Sequence, residues 1–178
     1  MVAAGCGERA PLHGMTIPDV QSAPALVLRD SRGRTFDLAA ERGKVVLLYF
    51  GYTHCPDACP TTLADFARAR RILGAKSDQL RFVFVSVDPE RDTPVLTASY
   101  AWQFDSTFTG LASTATQLDT IKTAWGFTVA KEEMEGMAGY GVTHPAGVFF
   151  VDRQGKVRFV FAPGTKSEDL AADLKRLL

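Results

Sequence analysis

Apolar and polar positions fall into two rhythms along the chain, and each predicts its own kind of element. Val45 to Phe50 is an unbroken apolar run of strand length, the pattern of a strand buried on both faces, and Leu80 to Val87 repeats it. Between them Leu63, Phe66, Ala67 and Leu73 recur at helical spacing. Pro60 suits the first helical position, where its missing N–H costs nothing, and Gly74 supplies the stop. Leu96, Tyr100 and Phe104 mark a second helix, opened by Thr93 as N-cap and Pro94 in the first turn. Leu118, Ile121 and Trp125 mark a third between Ala115 and Gly126, and Leu170, Leu174, Leu177 and Leu178 a last one capped by Ser167.

Shorter apolar runs on either side of polar, glycine-containing turns predict two hairpins. Leu26 and Leu28 face Phe36 and Leu38 across residues 30–34, and Val148 to Val151 faces Val157 to Phe161 across residues 152–156. Residues 127–143 show no clear period and hold Gly136, Gly139 and Gly141. Burying little surface, Lys131 to Thr143 is expected to be the most mobile stretch of the metal-free domain, with Met134 and Met137 exposed or packing. Residues 1–24, with Pro11, Gly14, Pro18 and Pro24 and no sustained apolar period, read as a tether, so the domain is expected to span residues 25–178. The element order predicts an α/β fold: a central mixed sheet, helices on both faces and an added N-terminal β-hairpin. Right-handed crossovers, with the loop at residues 51–59 at the carboxyl end of a central strand, make the arrangement thioredoxin-like.

Charge narrows the function. Twenty Lys and Arg balance twenty Asp and Glu, leaving no positive excess to neutralise phosphates, so no nucleic-acid partner is expected. No apolar run approaches the roughly 18–20 residues needed to cross a bilayer, so membrane attachment would need an anchor. Ala3-Ala4-Gly5-Cys6 resembles the end of a bacterial lipoprotein signal, although the apolar stretch that precedes such a site is absent. Cys6 is therefore the expected lipid-bearing residue, tying the protein to the bacterial cell envelope with its domain facing the periplasm or the exterior.

The other two cysteines carry the chemistry. In Phe50 to Pro60, FGYTHCPDACP, Cys55 and Cys59 stand four apart at the mouth of a helix. At that spacing Cβ atoms on one helical face lie about 5–6 Å apart, which allows either a disulfide or two thiolates on one metal. The helix N-terminus favours thiolate, which both uses require. Of the three histidines, His13 falls in the tether and is expected to be solvated, while His54, beside Cys55, is expected to support the loop. His144 stands at the entrance of a strand that neighbours the cysteine-bearing one in a thioredoxin-like sheet, so its imidazole can approach the sulfurs. Two soft thiolates with one imidazole select Cu(I) or zinc over calcium or magnesium.

Three separated blocks occur in order: FGYTHCPDACPTTL, VSVDPERDTP at Val85 to Pro94, and His144 followed by an apolar strand and an Asp-x-x-Gly turn. Together they resemble the Sco/SenC family of copper proteins, thioredoxin-fold assembly factors for cytochrome c oxidase. The resemblance implies copper, as Cu(I) or Cu(II), held by Cys55, Cys59 and His144, with Asp88 in a supporting role around the site. It implies cytochrome c oxidase subunit II as the client, with a second periplasmic copper carrier as a further partner. The same Cys55–Cys59 pair would serve the alternative role, a thiol-disulfide oxidoreductase that reduces that subunit's cysteines. One departure stands out: Pro145 follows His144 where the family usually has Ser or Thr, and a cis bond there would re-aim the imidazole.

Overall fold

The computed structural model describes residues 11–133 and 139–178, so Cys6, Met134, Gly136 and Met137 lie outside the described residues. Ten strands and four α-helices follow one another. They are β1 (Met15–Thr16), β2 (Val27–Arg29), β3 (Thr35–Asp37), β4 (Val45–Gly51), α1 (Ala58–Leu73), β5 (Leu80–Ser86), α2 (Pro94–Trp102), β6 (Thr109–Leu111), α3 (Ala115–Trp125), β7 (Ala130–Glu133), β8 (Tyr140–Thr143), β9 (Val148–Val151), β10 (Val157–Phe161) and α4 (Ser167–Leu177). Six of them form one mixed sheet in the order β1-β10-β9-β4-β5-β6, with β4, β5 and β6 parallel and β9 and β1 running the other way.

Every residue of β4 is buried, as its unbroken apolar run predicts. Alternate side chains of β4 leave the sheet on opposite sides. Leu47 lines a small cavity with Phe66 of α1, Phe82 of β5 and Leu174 of α4, while Tyr100 of α2 packs its ring on Phe84. Phe50 faces the other way and stacks against Trp125 of α3 and Phe127. Helices α1, α2 and α4 thus cover one face and α3 the other. The β2–β3 hairpin pairs Leu28 with Phe36 in a two-stranded sheet of its own and buries Leu26 and Leu28 in the common core.

Four local expectations change. The segment before Pro24 is not a free tether from residue 11 onward: Met15 pairs with Val160, Ser22 bridges to Lys156, and the buried carboxylate of Asp173 accepts hydrogen bonds from the His13 and Gly14 backbone N–H groups. His13 is consequently not merely solvated, since its Nδ1 lies 3.0 Å from Asp173. Residues 130–133 and 140–143 pair as a hairpin: β7 is exposed throughout and β8 buries only Gly141 and Val142, so backbone pairing forms the hairpin without a sustained apolar period. Ser167 is the first residue of α4 and not its cap; Glu168 and Asp169 supply the negative charge that its N-terminus favours.

Candidate metal centre

The carboxyl end of β4 turns through residues 52–57 straight into α1, which begins at Ala58, two residues before the proline that predicts it. Cys59 therefore sits inside the first turn, while Cys55 remains in the loop. The first N–H groups of a helix have no partner within it. Asp57, at the N-cap position, makes no side-chain cap, and the Cys59 N–H instead points at the Cys55 sulfur, 3.4 Å away. The chain approaches itself closely here: a Cβ on Gly51 would lie 2.7 Å from Cys59 Sγ and 2.7 Å from the Phe84 ring. Only glycine leaves room for the sulfur.

Strand β9 lies beside β4, and His144 precedes it by four residues, at the same end of the sheet as the cysteine loop. Its Nε2 is 3.6 Å from Cys59 Sγ, and the donor atoms of Cys55, Cys59 and His144 all lie within 4.8 Å of one another. The His144 ring is held edge-on by Tyr49 and Tyr52, at centroid distances of 5.9 and 5.7 Å. Its Nδ1 lies 3.0 Å from the Pro145 carbonyl oxygen, which as acceptor fixes the proton on Nδ1 and leaves Nε2 as a lone pair facing the sulfurs. The described residues contain no cis peptide bond, so His144–Pro145 is trans.

The two sulfurs are electrostatically unlike. Hydrogen bonding from Cys59, together with backbone N–H groups, holds Cys55 far below the ordinary thiol range. The same contact, with burial, pushes Cys59 far above it. Cys55 is half-buried and Cys59 is wholly buried. The Tyr49 hydroxyl donates to Cys59 Sγ from below at 3.5 Å.

Asp88 touches neither sulfur nor the imidazole. Its buried carboxylate takes the Arg91 guanidinium on one oxygen and the Tyr140 hydroxyl, at 2.8 Å, on the other. Arg91 in turn donates to the Tyr140 carbonyl and lies 3.7 Å over the Tyr140 ring. Asp88 thus holds β8, the strand that leads directly into His144, and its support is one step further from the imidazole than the sequence implied. Asp92, four residues on, was not singled out by sequence reasoning. It accepts from the Thr53 N–H and hydroxyl and from the Ser86 hydroxyl, fastening the cysteine loop to the end of β5. A second aspartate in VDPERD, four positions after the first, was the available signal. His54 stays half-exposed with Nδ1 3.0 Å from the Thr53 hydroxyl, and His13 lies on α4; neither belongs to the sulfur–imidazole cluster.

The family model described as SCO1/SenC matches residues 18–178. The chain belongs to the SCO1/SenC family. A protein of Stutzerimonas stutzeri described as copper-binding is 32% identical to this SCO1/SenC chain over 166 residues, 92% of the chain and 80% of that protein. The solution structure of apo Sco1 from Thermus thermophilus superposes with a TM-score of 0.84 at 32% identity, covering 97% of this chain and all of that one. Bradyrhizobium japonicum ScoI with copper bound gives a TM-score of 0.79 at 34% identity over 89% of this chain and all of its own. The thioredoxin-like α/β reading of this SCO1/SenC chain therefore stands.

Proposed function

We propose that the protein binds one copper ion per chain through Cys55, Cys59 and His144, and that it delivers the ion to, or prepares, the binuclear copper centre of cytochrome c oxidase subunit II. The observation that carries this reading is the meeting of two sulfurs and one imidazole nitrogen within 4.8 Å at the carboxyl end of the sheet. Two thiolates and an imidazole form a soft set suited to trigonal Cu(I), and the relatives described as copper-binding or as copper-bound support the same cargo. Transfer follows from the asymmetry of the sulfurs: an incoming client thiolate reaches the half-exposed Cys55 before the buried Cys59. Copper passes by stepwise exchange of one sulfur for another, without being released to water.

Membrane attachment through Cys6 suits this role. The folded arm enters the sheet from the side that carries the site, with Met15 on Val160 level with Leu48 in the middle of β4, three strands from β4 or about 14 Å at the usual strand spacing. The seven residue steps from Cys6 to His13 reach at most about 25 Å. A lipid on Cys6 would therefore keep the site close to the membrane surface, facing the periplasm or the exterior, where a second copper carrier could load it. Among the described residues no helix is long and apolar enough to cross a membrane.

The test is copper content together with a free-thiol count on anaerobically purified protein. One copper per chain that protects Cys55 and Cys59 from alkylation is expected, and chelator competition should show weaker Cu(I) binding in His144→Ala. Equal affinity in that variant would remove His144 from the site. The thiol-disulfide reading rests on a separate observation: the half-buried Cys55 sulfur accepts the Cys59 N–H at 3.4 Å, and its contact with Cys59 lowers the Cys55 thiol and raises that of Cys59. Iodoacetamide should then react with Cys55 of the apoprotein at a rate nearly flat between pH of about 5 and 8, where an ordinary thiol gains about tenfold per unit. A tenfold gain per unit at Cys55 would contradict it.

A further inference from the structure

Strand β4 is apolar on both faces and wholly buried, and Tyr49 is the residue in it whose side chain carries a hydroxyl. A buried tyrosine oxygen usually finds a partner, and this one finds a sulfur: it donates to Cys59 Sγ at 3.5 Å. Its ring meanwhile stands edge-on to His144, at 5.9 Å and 77°. One fully buried side chain thus touches two of the three candidate ligands, from the side opposite to solvent. Phe84, paired with it across the parallel strands, fixes the ring at a centroid distance of 6.0 Å.

From this geometry we infer that Tyr49 is a positioning residue of the copper site, whose hydroxyl sets the donor strength of the Cys59 thiolate while its ring holds the His144 imidazole. The inference rests on the copper-binding reading above. A hydrogen bond to a coordinating sulfur withdraws electron density from it, and such bonds tune both the charge-transfer energy and the potential of copper–thiolate sites. The hydroxyl therefore weakens donation from Cys59 to Cu(II) and favours Cu(I). It also gives the buried sulfur a partner for its negative charge, which no water reaches. Cys55, which lies toward solvent, receives no such bond from Tyr49.

The test compares wild type with Tyr49→Phe, which keeps the ring and removes only the hydroxyl, and with Tyr100→Phe. Tyr100 is the control because its hydroxyl is also buried on this face but has no hydrogen-bond partner among the described residues. Each protein is loaded with Cu(II) for optical spectroscopy and with Cu(I) for chelator competition. In Tyr49→Phe the sulfur-to-copper charge-transfer band should move to longer wavelength, the copper potential should fall, and Cu(I) affinity should drop about 10-fold, the lower end of the usual cost of losing a ligand's supporting partner. Tyr100→Phe should leave band, potential and affinity at the wild-type values. A band unmoved in Tyr49→Phe, or moved equally in both variants, would overturn the inference while leaving the copper reading intact. Wild-type protein that takes up no copper would instead defeat the copper reading itself.

Discussion

The two halves of the candidate site are held by different means. The sulfur half is built into the core: Cys59 is wholly buried against Gly51, Tyr49 and Phe84, and its loop is fastened by the buried Asp92. The imidazole half hangs from a surface hairpin whose β7 residues are all exposed, clamped by Asp88, Arg91 and Tyr140. A core fixes its atoms by close packing that has few alternatives. Strand β8 is held by one core side chain, Val142, and by the Asp88–Arg91–Tyr140 cluster of one ion pair, two hydrogen bonds at Tyr140 and one stacked ring. On the proposed reading the sulfurs are in place before copper arrives, and His144 is the ligand whose position can be released without unfolding the domain.

The largest expected effect comes from breaking the clamp. Asp88→Ala leaves the mostly buried Arg91 guanidinium without its charge partner, and should cost about 3 kcal/mol in urea unfolding. It should also lower Cu(I) affinity, as is expected of His144→Ala, while air oxidation still joins Cys55 to Cys59. If Asp88→Ala keeps wild-type affinity, the hairpin does not position the imidazole. Gly51→Ala strikes the other half. Its new methyl group meets Cys59 Sγ and Phe84 at 2.7 Å, and the overpacking should cost about 2 kcal/mol. Disulfide formation in this variant should slow, because Cys59 must move; unchanged oxidation kinetics would show that the sulfur half is not rigid.

The smallest effect lies at the arm. His13 donates a hydrogen bond to the Asp173 carboxylate, which raises its pKa above the ordinary value, and Asp169 adds to the rise. A raised histidine stabilises the fold fully below its unfolded pKa, near 6.5, and the contribution disappears as pH rises through the higher folded value. Wild-type stability relative to His13→Gln should therefore decline from pH of about 6 to 8. A difference that stays constant over that range would show that the arm is held by the backbone bonds to Asp173 alone.

The same contrast explains what could be read in the sequence. Buried strands such as β4 and β5 declare themselves as continuous apolar runs, and α1 as a helical stripe, because burial dictates residue type at every position. Cys55, Cys59 and His144 were legible as a group because the order of elements puts β9 beside β4. The elements that escaped are β1, β6, β7 and β8, each of two to four residues and defined by backbone pairing, which leaves little trace in side-chain type. Tyr49 was hidden for the opposite reason. Within an apolar run a tyrosine reads as one more core ring, and only the partner of its hydroxyl distinguishes it.

The central claim, that a core-fixed pair of sulfurs and a clamp-held imidazole share one copper ion, is tested most directly by X-ray absorption at the copper edge of the Cu(I)-loaded protein. The first coordination sphere should contain the sulfurs of Cys55 and Cys59 and one imidazole nitrogen, and His144→Ala should lose the nitrogen while keeping both sulfurs. A wild-type spectrum without imidazole scattering, or one unchanged by His144→Ala, would contradict the account.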